Sequence, residues 1–85
     1  MNKLESYQLF KTDLCGFCYR VRGFLSEQGI DIPMRDVNQD RDALREMLAA
    51  TGRTTVPCLR IERAEGVEWM HESMDIMRYL GQQTS

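Results

Sequence analysis

Cys15 and Cys18 are separated by Gly16 and Phe17. Two thiols at that spacing can close a disulfide with each other, supply half of a metal site, or attack a disulfide in another molecule. If the chain turns helical after Cys15, the pair falls at i and i+3 on one face, where neighbours lie roughly 5–6 Å apart. That distance is inside the usual disulfide span of about 4.4–6.8 Å between Cα atoms. A zinc site would need two further ligands, and Cys58 and His71 are the remaining thiol and the one imidazole in the chain. The tetrapeptide leaves these chemistries open, so its setting has to choose among them.

Residues 6–10 read as a short strand made largely apolar by Tyr7, Leu9 and Phe10. Lys11, Thr12 and Asp13 interrupt it. From residue 17 to 28, Phe17, Cys18, Val21, Phe24 and Leu25 recur at three- and four-residue steps, which is helical periodicity, and Gly29 is a stop signal. Cys15 is therefore expected at the N-terminal end of a helix that follows a strand. There the first backbone N–H groups lack partners, and the helix dipole adds roughly half a positive charge. Both favour a thiolate, which can bring a cysteine pKa from about 8.5 down to roughly 3.5–7.5. Lys11 offers a further positive charge nearby. Cys15 is the expected nucleophile and Cys18, one turn in, the resolving thiol; this setting favours redox chemistry over metal binding.

The elements that must hold the pair follow in order. Ile30, Ile32 and Met34 alternate, giving a second strand that ends near Val37 and that Pro33 confines to a sheet edge. Residues 38–40 signal a helix start, Ala43, Leu44, Met47 and Leu48 form one face, and Gly52 closes it. Residues 56–62 read as a strand, 63–66 as a turn, and 67–70 as the return strand, on which Trp69 packs against the sheet. A last helix runs over 73–80, with Ile76, Met77 and Leu80 inward and Gly81 after it. The result is an α/β fold: a four-stranded mixed sheet with three helices in the order βαβαββα.

Composition narrows the function classes. Eighty-five residues suit one domain spanning residues 1–85. At this size about 60–65% of the unfolded surface is buried, so nearly every apolar run is needed for the core. Eleven basic and thirteen acidic residues give a net charge of −2 with no run of either sign, which argues against a nucleic-acid surface. Residues 1–10 include Lys3 and Glu5 and lack the apolar core of a signal peptide, and no stretch approaches the ~20 apolar residues of a membrane span. Three cysteines, an odd number, do not make the disulfide framework of a small secreted protein. A reducing, cytoplasmic location is expected.

Lys11, the Cys15-Gly16-Phe17-Cys18 motif, Thr55-Val56-Pro57 and the final helix together resemble a glutaredoxin, with its thioredoxin fold, over nearly the whole chain. The resemblance implies that Pro57 is a cis-proline facing the active-site cysteine. It also implies that the Val56 backbone, beside Thr55, pairs with the cysteinyl part of glutathione. Lys11 would contact the glycine carboxylate of glutathione, assisted by Arg53; the alternative for both is a solvated surface charge. Where glutaredoxins carry two glycines and then two aspartates, this chain has His71 and Glu72, and retains Asp75 alone of the acidic pair. Glu72-Ser73 resembles instead the start of the last helix in the thioredoxin-like domain of glutathione transferases. Ser73 would cap that helix, whose free N–H groups can hold a carboxylate, while Glu72 faces an ammonium. A γ-glutamyl group offers both charges.

The activity so implied is glutathione-dependent reduction of glutathione mixed disulfides and protein disulfides, with glutathione and such proteins as partners. Gly16 stands where the familiar motif has proline, and relatives with glycine there can share a [2Fe–2S] cluster, ligated here by Cys15, between two subunits and two glutathiones. The resemblance thus permits a cluster-bound dimer; otherwise a monomer is expected. A third reading, an electron donor served by thioredoxin reductase, is disfavoured by Glu72-Ser73 and Lys11. Cys58 is expected to be a small buried strand residue, or a third redox thiol if it points at Cys15. His71 reads as a rim residue, and Met70, Met74 and Met77 as core filling.

Overall fold

The elements of the computed structural model, which describes residues 5–83, are β1 (Ser6–Lys11), α1 (Gly16–Gln28), β2 (Met34–Asp36), α2 (Arg41–Thr51), β3 (Cys58–Arg63), β4 (Gly66–Met70) and α3 (Ser73–Gln83). Lys3, part of the reading against a leader segment, lies outside the described residues. The strands form one sheet in the order β2-β1-β3-β4, with β1 parallel to β2 and antiparallel to β3, and β3 antiparallel to β4. This is the thioredoxin-like fold in the expected element order.

β1 is a central strand that buries side chains on both faces. Tyr7 and Leu9 face one layer with Leu59 and Ile61 of β3, under Val21 and Leu25 of α1 and Ile76 and Leu80 of α3. Phe10 faces the other layer with Cys58, Val37, and Ala43 and Met47 of α2. Each fully buried large aliphatic side chain contributes roughly 1.5–3 kcal/mol, so the α1–α3 layer is the main anchor. α2 brings two buried side chains, Ala43 and Met47. Its hold is reinforced by Glu46, which pairs with Arg35 of β2 and lies 3.2 Å from Arg60 of β3, the latter contact not aligned as a hydrogen bond.

The helix stops fall where the glycines stand. Gly29 has φ 68° and its N–H reaches back to Ser26, while the Ile30 N–H bonds the Leu25 carbonyl at 2.9 Å. That pairing satisfies the last carbonyls of α1. Gly52 at φ 70° ends α2 in the same left-handed region, and Asp40 starts it by accepting from the Ala43 N–H.

Several boundaries differ from expectation. β2 spans Met34–Asp36 alone; Ile30 and Ile32 alternate because they are buried in the core, not because they pair. β2 is an edge strand as Pro33 required, and the Pro33 carbonyl accepts from the Leu9 N–H. β3 begins at Cys58, leaving Val56 and Pro57 outside the ladder. The hairpin turn is Ala64-Glu65, with Gly66 at φ 147° already paired opposite Arg63. α3 runs through Gly81, where a Cβ would come within 3.2 Å of the Phe24 ring; the missing side chain admits α1. Leu48 is 48% exposed and Phe17 60% exposed, so neither belongs to a buried face.

The end of the sheet remote from Cys15 is closed by a polar cluster. Glu5 accepts from the Tyr7 hydroxyl, the Tyr79 hydroxyl at 2.6 Å and Arg63 Nε at 2.7 Å, joining β1, β3 and α3. Its side chain is 9% exposed. The Tyr7 hydroxyl above all, with Tyr79 and the Arg63 guanidinium, holds the Glu5 carboxyl down at about 2.

Candidate active site

β1 delivers the chain at Lys11, and a turn places Cys15 as the N-cap of α1. The Cys15 Sγ accepts from the Cys18 N–H at 3.4 Å and lies 3.7 Å from the Val56 carbonyl oxygen. Partial burial pushes the Cys15 thiol up, but the Cys18 N–H, the Cys18 thiol and the Phe17 N–H outweigh it, and the net shift is downward. This is the helix N-terminus acting through specific amides rather than as a diffuse dipole. Cys18 is fully buried, and that burial pushes its thiol up to about 11. The two cysteines are thus chemically unequal: one half-exposed and poised to ionise, the other sealed and protonated.

Lys11 is placed differently from expectation. Its ammonium is 2.7 Å from Asp13 and 3.5 Å from Asp36, and its side chain is 13% exposed. Asp36 is its register partner on the parallel neighbour β2. The hydrogen bond to Asp13, chiefly, raises the Lys11 pKa. Its charge eases the ionisation of Cys18 and does not contribute to the shift of Cys15. The thiolate of Cys15 therefore leans on the Cys18 and Phe17 N–H groups and the Cys18 thiol, not on a lysine.

Beside Cys15 opens a cleft of about 180 Å³ lined by Phe17, Arg53, Thr55, Val56, Pro57, His71, Glu72 and Ser73. All the candidate binding residues other than Lys11 meet here. The Val56–Pro57 peptide bond is cis, as the resemblance implied. One wall comes from the segment between α2 and β3, the other from the joint between β4 and α3. The Glu72 carbonyl accepts the first helical bond of α3, from the Ile76 N–H at 2.9 Å. Glu72 therefore occupies the cap position, one residue before the expected cap at Ser73, and Ser73 is the first helical residue; the leading N–H groups of α3 still open at the cleft. Neither Arg53 nor Glu72 has an ion-pair partner among the described residues, so the cleft carries one free cation and one free anion.

Two wall residues lay outside the expected set. Phe17 was read as part of a buried helix face; its place between the two cysteines was the available signal that it borders the nucleophile. His71, expected as a rim residue, lines the cleft; its Nε2 lies 3.8 Å from the Cys58 Sγ and its Nδ1 is buried with no partner among the described residues. Cys58 is fully buried on the α2 side, and burial pushes its thiol up to about 12. It contacts His71 and not Cys15. Among the described residues no group of three or more His, Cys, Asp and Glu side chains gathers around a metal-sized space. A larger concavity of about 380 Å³ on the flank of α1, between Tyr19 and Met34, contains no thiol and none of the candidate catalytic or glutathione-binding residues.

The glutaredoxin family model matches residues 8–64, which is 57 of the 85 residues. The chain belongs to the glutaredoxin family. The match takes in Lys11, both motif cysteines, Arg53 and residues 55–57, and ends before the wall formed by residues 71–73. Glutaredoxin 3 of Escherichia coli (strain K12) is 25% identical over 59 residues, covering 69% of this glutaredoxin-family chain and 71% of the relative. Among solved structures, maleylacetoacetate isomerase from Anaeromyxobacter dehalogenans 2CP-1 with bound GSH superposes with a TM-score of 0.70 at 24% identity over 94% of this chain. The chain spans 38% of that enzyme. The thioredoxin-like protein BC3987 superposes with a TM-score of 0.70 at 18% identity, covering 88% of this chain and 99% of that one. Both likenesses are of fold. Among the described residues no helix is long and apolar enough to cross a membrane.

Proposed function

We propose that the chain is a glutathione-dependent thiol–disulfide oxidoreductase acting on glutathionylated and disulfide-containing proteins. The observation that carries this reading is the placement of the Cys15 sulfur: N-capping α1, with its pKa lowered, beside a cleft whose cation, Arg53, and anion, Glu72, have no ion-pair partner among the described residues. Glutathione matches that cleft in chemistry. Its γ-glutamyl carboxylate suits the N-terminus of α3 at Ser73 and its ammonium suits Glu72. Its cysteinyl backbone suits the Val56 peptide left outside the β3 ladder, beside Thr55 and Pro57. Its glycine carboxylate suits Arg53; Lys11 would have to surrender an ion pair with Asp13 or Asp36 to take that role. The bound GSH of the maleylacetoacetate isomerase, on the same fold, supports the same choice of ligand.

The reaction follows from the unequal thiols. Cys15 thiolate attacks the glutathionyl sulfur of a protein mixed disulfide. A bond forms between Cys15 and glutathione, the old S–S bond breaks, and the protein leaves as a thiolate that takes up a proton. A second glutathione thiolate attacks the glutathionyl sulfur, releasing oxidised glutathione and restoring Cys15 as thiolate. With a protein disulfide, Cys15 forms the mixed disulfide first. Cys18 then loses its proton, attacks the Cys15 sulfur and expels the second substrate thiolate. Two glutathiones afterwards reduce the Cys15–Cys18 bond. Because Cys18 is buried and protonated, it stays silent until a disulfide forms within its reach.

Reduction of a glutathionylated peptide by glutathione tests the assignment. Cys15→Ser should abolish turnover, and Cys18→Ser should keep it while losing reduction of protein disulfides. Turnover by Cys15→Ser would refute the assignment of the nucleophile.

A further inference from the structure

We propose that Cys58 is a hydrogen-bond donor that holds the His71 imidazole against one wall of the cleft, making the two a positioning pair for glutathione. The inference rests on the function proposed above.

Cys58 opens β3 directly after Pro57, and its side chain is sealed among Phe10, Val37, Ala43 and Met47. Burial alone pushes this thiol up to about 12, so it keeps its hydrogen through the neutral range. Its Sγ stands 3.8 Å from His71 Nε2, a separation suited to a weak S–H···N bond. With Nε2 accepting, a neutral imidazole must carry its own hydrogen on Nδ1. That Nδ1 is shut from solvent and has no partner among the described residues. Cys58 is therefore the ring's polar hold.

The pair sits where the two cleft walls diverge. The β3–β4 ladder is in register out to Leu59 opposite Met70. Cys58 and His71 are the next residues along each strand, one leading back into residues 55–57, the other forward into Glu72 and Ser73. Their side-chain contact joins the two segments that face each other across the cleft. Without the S–H, both ring nitrogens would stand unpaired, a state that buried polar groups avoid. The ring would then turn toward water, and the space open to a residue lining this cleft is the cleft itself.

The test uses the whole chain with reduced glutathione as the probe. Cys58→Val removes the donor, and Cys58→Ser keeps one. The expected result is a glutathione Kd raised about fivefold in Cys58→Val and close to the original in Cys58→Ser. The rate at which iodoacetamide alkylates Cys15 should be unchanged in both, which also shows that the α1 site is folded. Nitrogen chemical shifts of the imidazole should report the Nδ1–H tautomer in the unsubstituted protein and in Cys58→Ser, and its loss in Cys58→Val. In a His71→Ala background, Cys58→Val should add no further loss of affinity. An Nε2–H tautomer in the unsubstituted protein, or equal glutathione affinity in Cys58→Val, overturns the inference and leaves the function standing. Failure of the unsubstituted protein to bind glutathione overturns the function, and the inference with it.

Discussion

Limited alkylation with iodoacetamide at pH 7 should label Cys15 and spare Cys18 and Cys58. Cys18, at about 11, is ionised to about one part in 10⁴ at pH 7, and Cys58, at about 12, to about one part in 10⁵. Cys15 lies below the ordinary thiol value of 9.0, so its thiolate fraction is at least about 1%. Ionisation alone favours it by at least about a hundredfold over Cys18 and a thousandfold over Cys58. Intrinsic nucleophilicity works the other way, because a more basic thiolate attacks faster, with a Brønsted slope of about 0.4–0.5. Over two units of pKa that returns about a factor of ten to Cys18, and over three units about thirty to Cys58. A net advantage of about ten- and thirtyfold survives before access is counted. Access then widens it, since both disfavoured thiols are fully buried. Peptide mapping by mass spectrometry after sub-stoichiometric labelling reads the result directly, and concentrated urea should bring all three cysteines into play. The labelling rate plotted against pH should have its inflection below 9.0. Replacing Cys18 by Ala should move that inflection upward, because the contribution of the Cys18 thiol is lost. Comparable native labelling of Cys18, or an inflection at or above the ordinary value, would show that the amides at the start of α1 do not stabilise the thiolate.

Glu5 should make stability acid-sensitive: its carboxyl is held at about 2 against an ordinary 4.5, so its contribution is complete above pH 4.5 and disappears as pH falls toward 2. The shift corresponds to an upper value of about 3 kcal/mol; denaturant titrations of the unsubstituted protein and Glu5→Gln across that window should converge at the acid end, and parallel curves would count against the cluster. Arg53→Ala should weaken glutathione binding about three- to fivefold, as suits an exposed charge, with the difference shrinking as salt is added; calorimetry at two ionic strengths checks it. Gly29→Ala should destabilise the fold by about 1 kcal/mol, since φ 68° is a left-handed position that a Cβ disfavours even though nothing crowds it. An unchanged thermal midpoint would contradict that.

Much of this molecule is legible in the chain because its local signals agree with one another. The apolar spacing of Val21 and Leu25, the strand before Cys15 and the glycines at 29 and 52 all point to the elements that form. The family motif supplied residues 55–57, and the Glu-Ser likeness supplied the opposite wall. What escaped depends on contacts between distant segments. Lys11 reads as a free charge until β2 pairs in parallel and sets Asp36 beside it. Ile30 and Ile32 show strand alternation, yet burial alone accounts for it. The Cys58–His71 contact requires the register of β3 against β4, which two short strands do not announce.

The carbonyl of Val56 has a consequence for timing. As a thiol, Cys15 can donate to that oxygen at 3.7 Å; as a thiolate it turns to the Cys18 N–H at 3.4 Å, which with the Phe17 N–H favours the charged form. The same sulfur is thus offered one neighbour that prefers it protonated and another that prefers it charged. Any ligand whose own N–H takes the Val56 oxygen removes the first and leaves the second. Occupancy and ionisation would then be linked in both directions: a ligand that takes this oxygen would favour the Cys15 thiolate, and a higher pH would favour that ligand. Such a site would arm its nucleophile most fully when something has arrived for it to attack.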